Sequence, residues 1–310
     1  MKKIFIDGKA GTTGLRIEER LASRDDVLII SLPEEQRKDP EARKRMLNSA
    51  DIVFLCLPDA AAIEAVEMID NPDVVVIDTS TAHRTNPEWA YGFPELDKTF
   101  AEKIKNSKRI AVPGCHAGGF IALVYPLVKA GILSPDLLLT AHSLTGYSGG
   151  GKKMIAEYES DGRDCLLGAP RQYGVAQGHK HLPEMVKITG IKNAPVFSPI
   201  VADFYSGMEV TVPLFAEWLS GKTVEDIKNV YKNLYTGPIV SYREGADEGG
   251  FLAASALSGK DNMQIEVYGN EDRILLVARY DNLGKGASGA AVECLNIVLG
   301  EDERKTLVID

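Results

Sequence analysis

The chain has 310 residues, more than one small core needs, and its length suits two domains. With 45% hydrophobic and 25% charged residues it has the composition of a globular protein with a substantial core. A net charge of −9 argues against a general binder of nucleic acid or of anionic membranes, while leaving room for a local basic pocket that holds a small anion.

The N-terminus, MKKIFIDG, enters a strand pattern at once, with no apolar run that would serve as a signal peptide and no stretch that would span a bilayer. A cytoplasmic location and a small-molecule ligand are therefore expected, with no membrane or nucleic-acid partner. KKIFID predicts a first strand and TGLRIEERLAS a helix. DVLIISL and ADIVFLCLP are further strands, separated by the charged helix PEARKRMLNS. AAAIEAVEMID is a helix, DVVVIDTS a fourth strand, and KRIAVPG a short strand ending just before Cys115. This alternation predicts a Rossmann-type, doubly wound parallel sheet over residues 1–114.

The pattern then changes. CHAGGFIALVYPLVKAGI predicts a helix, and LLLTAHSLTGYSGGG a strand running into a glycine-rich loop. From Pro195 onward, APVFSPIVADFYSGMEVTVPLFA, NMQIEVYGN and RILLVARYDN are β-rich, and TVEDIKNVYKNLY is a helix with Thr223 as N-cap. Residues 115–286 thus read as an α+β domain on a mixed or antiparallel sheet. The last helix, ASGAAVECLNIVL, is apolar enough to pack back on the first domain, which takes in residues 287–310.

Directly after the first strand come Gly8, Gly11, Thr12, Thr13 and Gly14, the glycines three positions apart, and then a helix. Glycine permits the tight turn and close approach of a pyrophosphate, and the helix N-terminus offers N–H groups to it. An acidic residue that would hold a ribose 2′-hydroxyl is missing where the second strand ends. Ser31 stands there, with Arg37 and Lys38 close behind, a set that suits the 2′-phosphate of NADP, although Glu34 and Glu35 lie between.

Four cysteines, Cys56, Cys115, Cys165 and Cys294, match neither a disulfide framework nor a zinc spacing, and no metal is expected. Cys56 and Cys294 lie in apolar runs and read as buried small hydrophobes; Cys165 is less clear. Cys115 follows a strand and Pro113-Gly114, and small residues come after it. A helix N-terminus there would lower its pKa and offer N–H groups to an oxyanion. A thiol nucleophile needs a base, and His179 and His181 in GHKHLPE are the candidates.

These motifs together resemble the N-acetyl-gamma-glutamyl-phosphate reductase family, in its shorter type, over almost the whole chain. The resemblance rests on the glycine loop, DTSTAHR at 78–84, VPGC at 112–115, GHKHLPE at 178–184 and DNLGKGASGAA at 281–291. Longer members carry Tyr-Pro-Thr after the cysteine; here His116-Ala117-Gly118 follows, and the role of His116 is open. The resemblance implies reduction of an acyl phosphate by NADPH through a Cys115 thioester. It also implies His181, oriented by Glu184, as acid/base, with His179 as the other choice. It suggests Pro58, Ser80, Asn282, Gly284 and Lys285 as further cofactor contacts, and Arg84, Ser148, Lys152 and Arg171 as substrate contacts. A homo-oligomer, dimer or tetramer, is expected by analogy. The alternatives are an aspartate-semialdehyde dehydrogenase-like reductase of another acyl phosphate, or a non-catalytic NADP sensor on the same fold.

Overall fold

The computed structural model describes every residue of the chain except Lys38. That residue, one of the two basic groups noted after the second strand, lies outside the described residues. The chain folds into two compact units. Met1–Pro94, Lys98–Gly114 and Ala287–Leu307 form the first; Glu95–Asp97, Cys115–Gly286 and Val308–Asp310 form the second.

In the first unit β1 (Lys2–Asp7), β2 (Val27–Ile30), β3 (Ile52–Leu55), β4 (Val75–Asp78), β5 (Ala90–Tyr91) and β6 (Arg109–Ala111) make one sheet. The order is β2-β1-β3-β4-β6-β5, and every pairing is parallel. Successive side chains of a strand point to opposite faces. Ile4 and Ile6 of β1 therefore join Ile52 and Phe54 of β3 in one apolar cluster, while Phe5, Val53 and Leu55 join another. Ile17 and Leu21 of α1 (Thr12–Leu21) complete the first cluster. Leu47 of α2 (Pro40–Ser49), with Ala62 and Ala65 of α3 (Asp59–Glu67), completes the second. Helices cover both faces, which is why β3, and β4 up to its last residue Asp78, are apolar instead of alternating. Each fully buried Ile or Leu stabilises this arrangement by about 1.5–3 kcal/mol. Neither β5 nor α4 (Lys98–Asn106) is evident in the apolar pattern: β5 is two residues long and α4 fully buries only Ile104.

The second unit opens on α5 (Cys115–Lys129), followed by β7 (Thr140–Gly146), α6 (Gly151–Glu159), β8 (Arg171–Gln172) and α7 (Leu182–Thr189). Then come β9 (Val196–Ala202), β10 (Met208–Phe215), α8 (Val224–Leu234), β11 (Val240–Tyr242), β12 (Met263–Gly269) and β13 (Arg273–Tyr280). Its seven strands form a mixed sheet in the order β11-β12-β13-β10-β7-β9-β8. Met208, Val210, Val212 and Leu214 alternate inward along β10 and are buried. α5 packs against β10, β13, α7 and α8. Pro126 lies inside α5 and has no N–H to give the carbonyl of Ala122. Two buried tyrosines of the α8 segment supply donors there. Tyr235 donates to the Ala122 carbonyl at 2.7 Å and Tyr231 to that of Leu123 at 2.6 Å. The helix that begins with Cys115 is thus fixed despite its proline. Thr223 caps α8 as its sequence predicts, in a reciprocal capping box with Asp226.

The chain finally returns to the first unit through α9 (Gly289–Leu299), whose Ala290, Ala291 and Leu295 enter the Ile4–Ile52 cluster. A doubly wound parallel sheet and a second unit on a mixed sheet are what the sequence leads one to expect.

Candidate active site

The glycine loop after β1 is built so that only glycine fits. Gly8 has φ +85°, and a Cβ there would stand 2.2 Å from the carbonyl oxygen of Cys56. A Cβ on Gly14 would stand 2.8 Å from the carbonyl oxygen of Gly8. The loop lies against the end of β3, beside the β1/β3 boundary at which the strand order reverses and ligands of doubly wound sheets bind. Gly11 is the N-cap of α1, and no side chain caps the helix. Thr12 and Thr13 form its first turn, which contains no acidic residue. N–H groups that a serine or aspartate cap would otherwise engage face the loop, as a bound pyrophosphate requires.

Beside the loop is a cleft of about 440 Å³, lined by Asp7, Gly8, Lys9, Ser31, Arg37 and Arg43 among others. Arg37 pairs with the exposed Glu34, at 2.8 Å, a surface contact worth little. Arg43 is more tightly held, its Nη2 donating to Asp7 Oδ2 at 2.9 Å. Sequence reasoning missed Arg43. Its signal is the start of α2, where Asp39 caps and Pro40 opens the helix, placing residue 43 one turn in.

Other expected contacts in this unit have local partners. Pro58 is the N-cap residue of α3. The Ser80 hydroxyl donates to the buried Asp78 at 2.7 Å, and His83 Nδ1 meets the same carboxylate at 2.7 Å while stacking on Trp89. Arg84 is buried; its guanidinium donates to the carbonyls of Val112 and Thr79, each at 2.8 Å. It clamps the segment that follows β4 to the segment that follows β6.

In the second unit Cys115 is the first residue of α5 and is half-buried. The other thiols differ. Surrounding protein pushes the pKa of Cys56 up to about 12, Cys294 is fully buried, and Cys165 is exposed in a short 3-10 turn. Tyr280 from β13 donates to the Cys115 carbonyl and accepts from the Gly119 N–H at 3.0 Å, pinning the first turn of α5. Gly286 lies so close that a Cβ there would stand 3.0 Å from the Cys115 Cβ.

Three histidines gather together, one of them His116, the residue after Cys115. The His116 ring is 5.5 Å from that of His179 and 5.6 Å from that of His181, and the last two are 4.7 Å apart. Burial, and then the charges of His179 and Lys180, push His116 down to about 3, so it is neutral at any working pH. Burial and then Lys180 also lower His179. His179 Nδ1 accepts the backbone N–H of His181 at 3.2 Å, which leaves the proton of its neutral ring on Nε2. His181 is itself buried, as the residue that opens α7, and Glu184 is buried in that helix's first turn.

Further residues singled out by sequence cluster in this unit. Ser148 accepts from Asn282 Nδ2 at 3.0 Å, and Asn282 Oδ1 accepts from the Gly207 N–H at 2.9 Å. Lys285 is buried and bridges both oxygens of Glu95, at 2.7 and 2.8 Å. At Gly284 a Cβ would stand 1.9 Å from the Lys260 carbonyl oxygen. The fully buried Asp281 holds this turn by accepting from Ser206, Gly259, Leu283 and Gly284. Arg171 stacks over Tyr158 and donates to its hydroxyl at 3.0 Å. Lys152 is exposed on α6, whose N-terminus has no side-chain cap. The Tyr147–Gly150 stretch is a 3-10 turn leading into that helix, where the sequence suggests an open loop. Among the described residues no group of three or more His, Cys, Asp or Glu is disposed to hold a metal ion, and no helix is long and apolar enough to cross a membrane.

Residues 14–107 match the NAD binding domain of semialdehyde dehydrogenase, and residues 115–282 its dimerisation domain. The N-acetyl-gamma-glutamyl-phosphate reductase of Rhizobium meliloti (strain 1021) is 47% identical over 305 residues, which cover 96% of this chain and 98% of that protein. The chain belongs to the N-acetyl-gamma-glutamyl-phosphate reductase family. Members of this family are oxidoreductases. Two solved structures share the fold. An aspartate semialdehyde dehydrogenase II from Vibrio cholerae has a TM-score of 0.71 at 17% identity, covering 97% of this chain and 99% of its own. An aspartate semialdehyde dehydrogenase with NADP from Candida albicans has a TM-score of 0.70 at 15% identity, covering 96% and 98%. The second matched domain begins at Cys115, where the first unit hands over to the second.

Proposed function

We propose that the chain reduces N-acetyl-γ-glutamyl phosphate to N-acetylglutamate 5-semialdehyde with NADPH, releasing phosphate, as a step of arginine biosynthesis. The observation that carries this reading is Cys115 as the first residue of α5, followed by His116 in a cluster of three histidines, in a chain 47% identical to a reductase of that name. The helix N-terminus favours the thiolate. That sulfur attacks the acyl carbon, the C–O bond to phosphate breaks, and a thioester remains. NADPH, when bound, supplies the hydride that takes the thioester to the aldehyde level. The C–S bond then breaks and Cys115 leaves as thiolate, ready for the next turnover.

The cofactor fits the first unit. The Gly8–Gly14 cradle, which any Cβ would fill, and the uncapped N-terminus of α1 suit the pyrophosphate. Ser31, Arg37 and Arg43 suit the 2′-phosphate, and Pro58 and Ser80 follow the ends of β3 and β4. Residues 1–114 and 287–310 then serve as the NADP-binding domain and 115–286 as the catalytic one. Asn282, Gly284 and Lys285 serve the nicotinamide end, since the turn they form runs on to Gly286 against Cys115. Of the histidines, His181 is the acid/base, with Glu184 in the first turn of the helix it precedes to orient it. Ser148, Lys152 and Arg171 are the substrate's anion contacts. Arg84 acts on the substrate only through the backbone segments it clamps. The domain match over 115–282 supports a homo-oligomer, and the biosynthetic role a cytoplasmic one.

The test is phosphate-dependent NADP reduction with N-acetylglutamate semialdehyde, run beside aspartate semialdehyde. Turnover of the first well above the second is expected. Preference for the second would move the chain to the aspartate-semialdehyde reading, and no turnover of either would leave a cofactor-binding protein without this chemistry.

A further inference from the structure

His116, which follows the nucleophile, bridges two hydroxyls: its Nδ1 lies 2.6 Å from Ser143 Oγ and its Nε2 lies 2.6 Å from the Tyr173 hydroxyl. Ser143 is fully buried on β7, and its hydroxyl has no other partner among the described residues. A buried O–H that donates to nothing is costly, so Ser143 donates, and Nδ1 is the acceptor. A neutral imidazole has one donor and one acceptor, so the ring proton resides on Nε2 and points at the Tyr173 oxygen. Tyr173 therefore receives a hydrogen bond from His116 and keeps its own O–H for another acceptor. No protein group takes that O–H among the described residues. The geometry assigns to Tyr173 the role of hydrogen-bond donor to the Cys115 thiolate, with His116 and Ser143 as positioning residues that fix the direction of that donor.

Three further observations agree. Tyr173 is half-buried and packs edge-on against His116, the chain neighbour of Cys115. Burial and then the Cys115 charge hold the Tyr173 pKa well above its usual value, so it stays a donor when the sulfur is charged. Tyr280, the other phenol here, is engaged with the Cys115 carbonyl and the Gly119 N–H. The titratable groups around this network are His179, His181, Tyr280 and Glu184, with Lys180 acting on His116 and His179. None of them contacts the Ser143 hydroxyl, so none alters the assignment of the His116 proton. The role of Tyr173 rests on the reading of Cys115 as nucleophile.

The test is iodoacetamide alkylation of Cys115 against pH, followed by mass spectrometry, in the wild type and in Tyr173→Phe. A thiolate that loses a donor is harder to form, so the variant's apparent thiol pKa is expected to rise by about one unit. An unmoved thiol pKa overturns the assignment. On the wild type, ¹⁵N NMR of labelled histidines, with His116→Gln for assignment, is expected to show the His116 proton on Nε2. A proton on Nδ1 overturns it independently of any variant's folding. Neither readout uses substrate. A protein that titrates as expected but fails to reduce the acyl phosphate would therefore defeat the reaction proposed above and leave this donor standing.

Discussion

The two units approach function by opposite means. In the first, the backbone does it: Gly8 and Gly14 leave space that no side chain could share, and α1 presents uncapped N–H groups. In the second, side chains from β7, the residue after β8, the start of α7 and β13 gather about the first two residues of α5, Cys115 and His116. A backbone site is specified locally and fails when a Cβ is added. A side-chain site is specified by packing and fails when a partner is removed.

Replacing Cys115 by Ala should sharpen this contrast most. Turnover is expected to fall by at least about 10³-fold, with NADP affinity unchanged in a titration, because the thiol bonds only to substrate. Turnover within about tenfold of wild type would defeat the covalent mechanism. His181→Asn comes next, with an expected loss of about 10²–10⁴-fold in kcat, against a much smaller loss for His179→Asn. The reverse ranking would reassign the base.

Gly8→Ala addresses the other unit. At φ +85°, and with a Cβ 2.2 Å from the Cys56 carbonyl oxygen, it should cost about 2 kcal/mol or more of stability and weaken NADP binding while sparing alkylation of Cys115. Coupled loss of thiol reactivity would show that the two sites are not separable in this way. A further expectation concerns pH. His116 falls from 6.5 to about 3 on folding, so below pH 6.5 the unfolded chain binds a proton that the native ring refuses. Stability should be full above about pH 6.5 and decline by up to about 1.4 kcal/mol per pH unit down toward pH 3. Denaturant melts of the wild type and His116→Gln check this, with a shallower decline expected in the variant.

Much of the fold could be read in the sequence because its signals are local. Apolar strands beside amphipathic helices predict the parallel sheet, and Thr223 predicts the start of α8. Weak local signals were lost: α4 fully buries one residue, and β5 is two residues long. The Tyr147–Gly150 stretch suggested a loop because its glycines conceal the turn that leads into α6.

The same division runs through the site that opened this comparison. The glycine loop, the nucleophile before a helix and the GHKHLPE histidines are contiguous strings, and a chain of amino acids displays them directly. The bridge from Ser143 through His116 to Tyr173 is not contiguous; it joins residues 27 and 57 positions apart. The hold of Arg43 on Asp7 spans 36 positions, and that of Lys285 on Glu95 spans 190. Such partners carry no mark of one another in the sequence, because hydrogen-bond distance is set by how sheets and helices pack and not by spacing along the chain. Folding alone brings His116 between the hydroxyls of Ser143 and Tyr173, and so sets which of its nitrogens holds the proton.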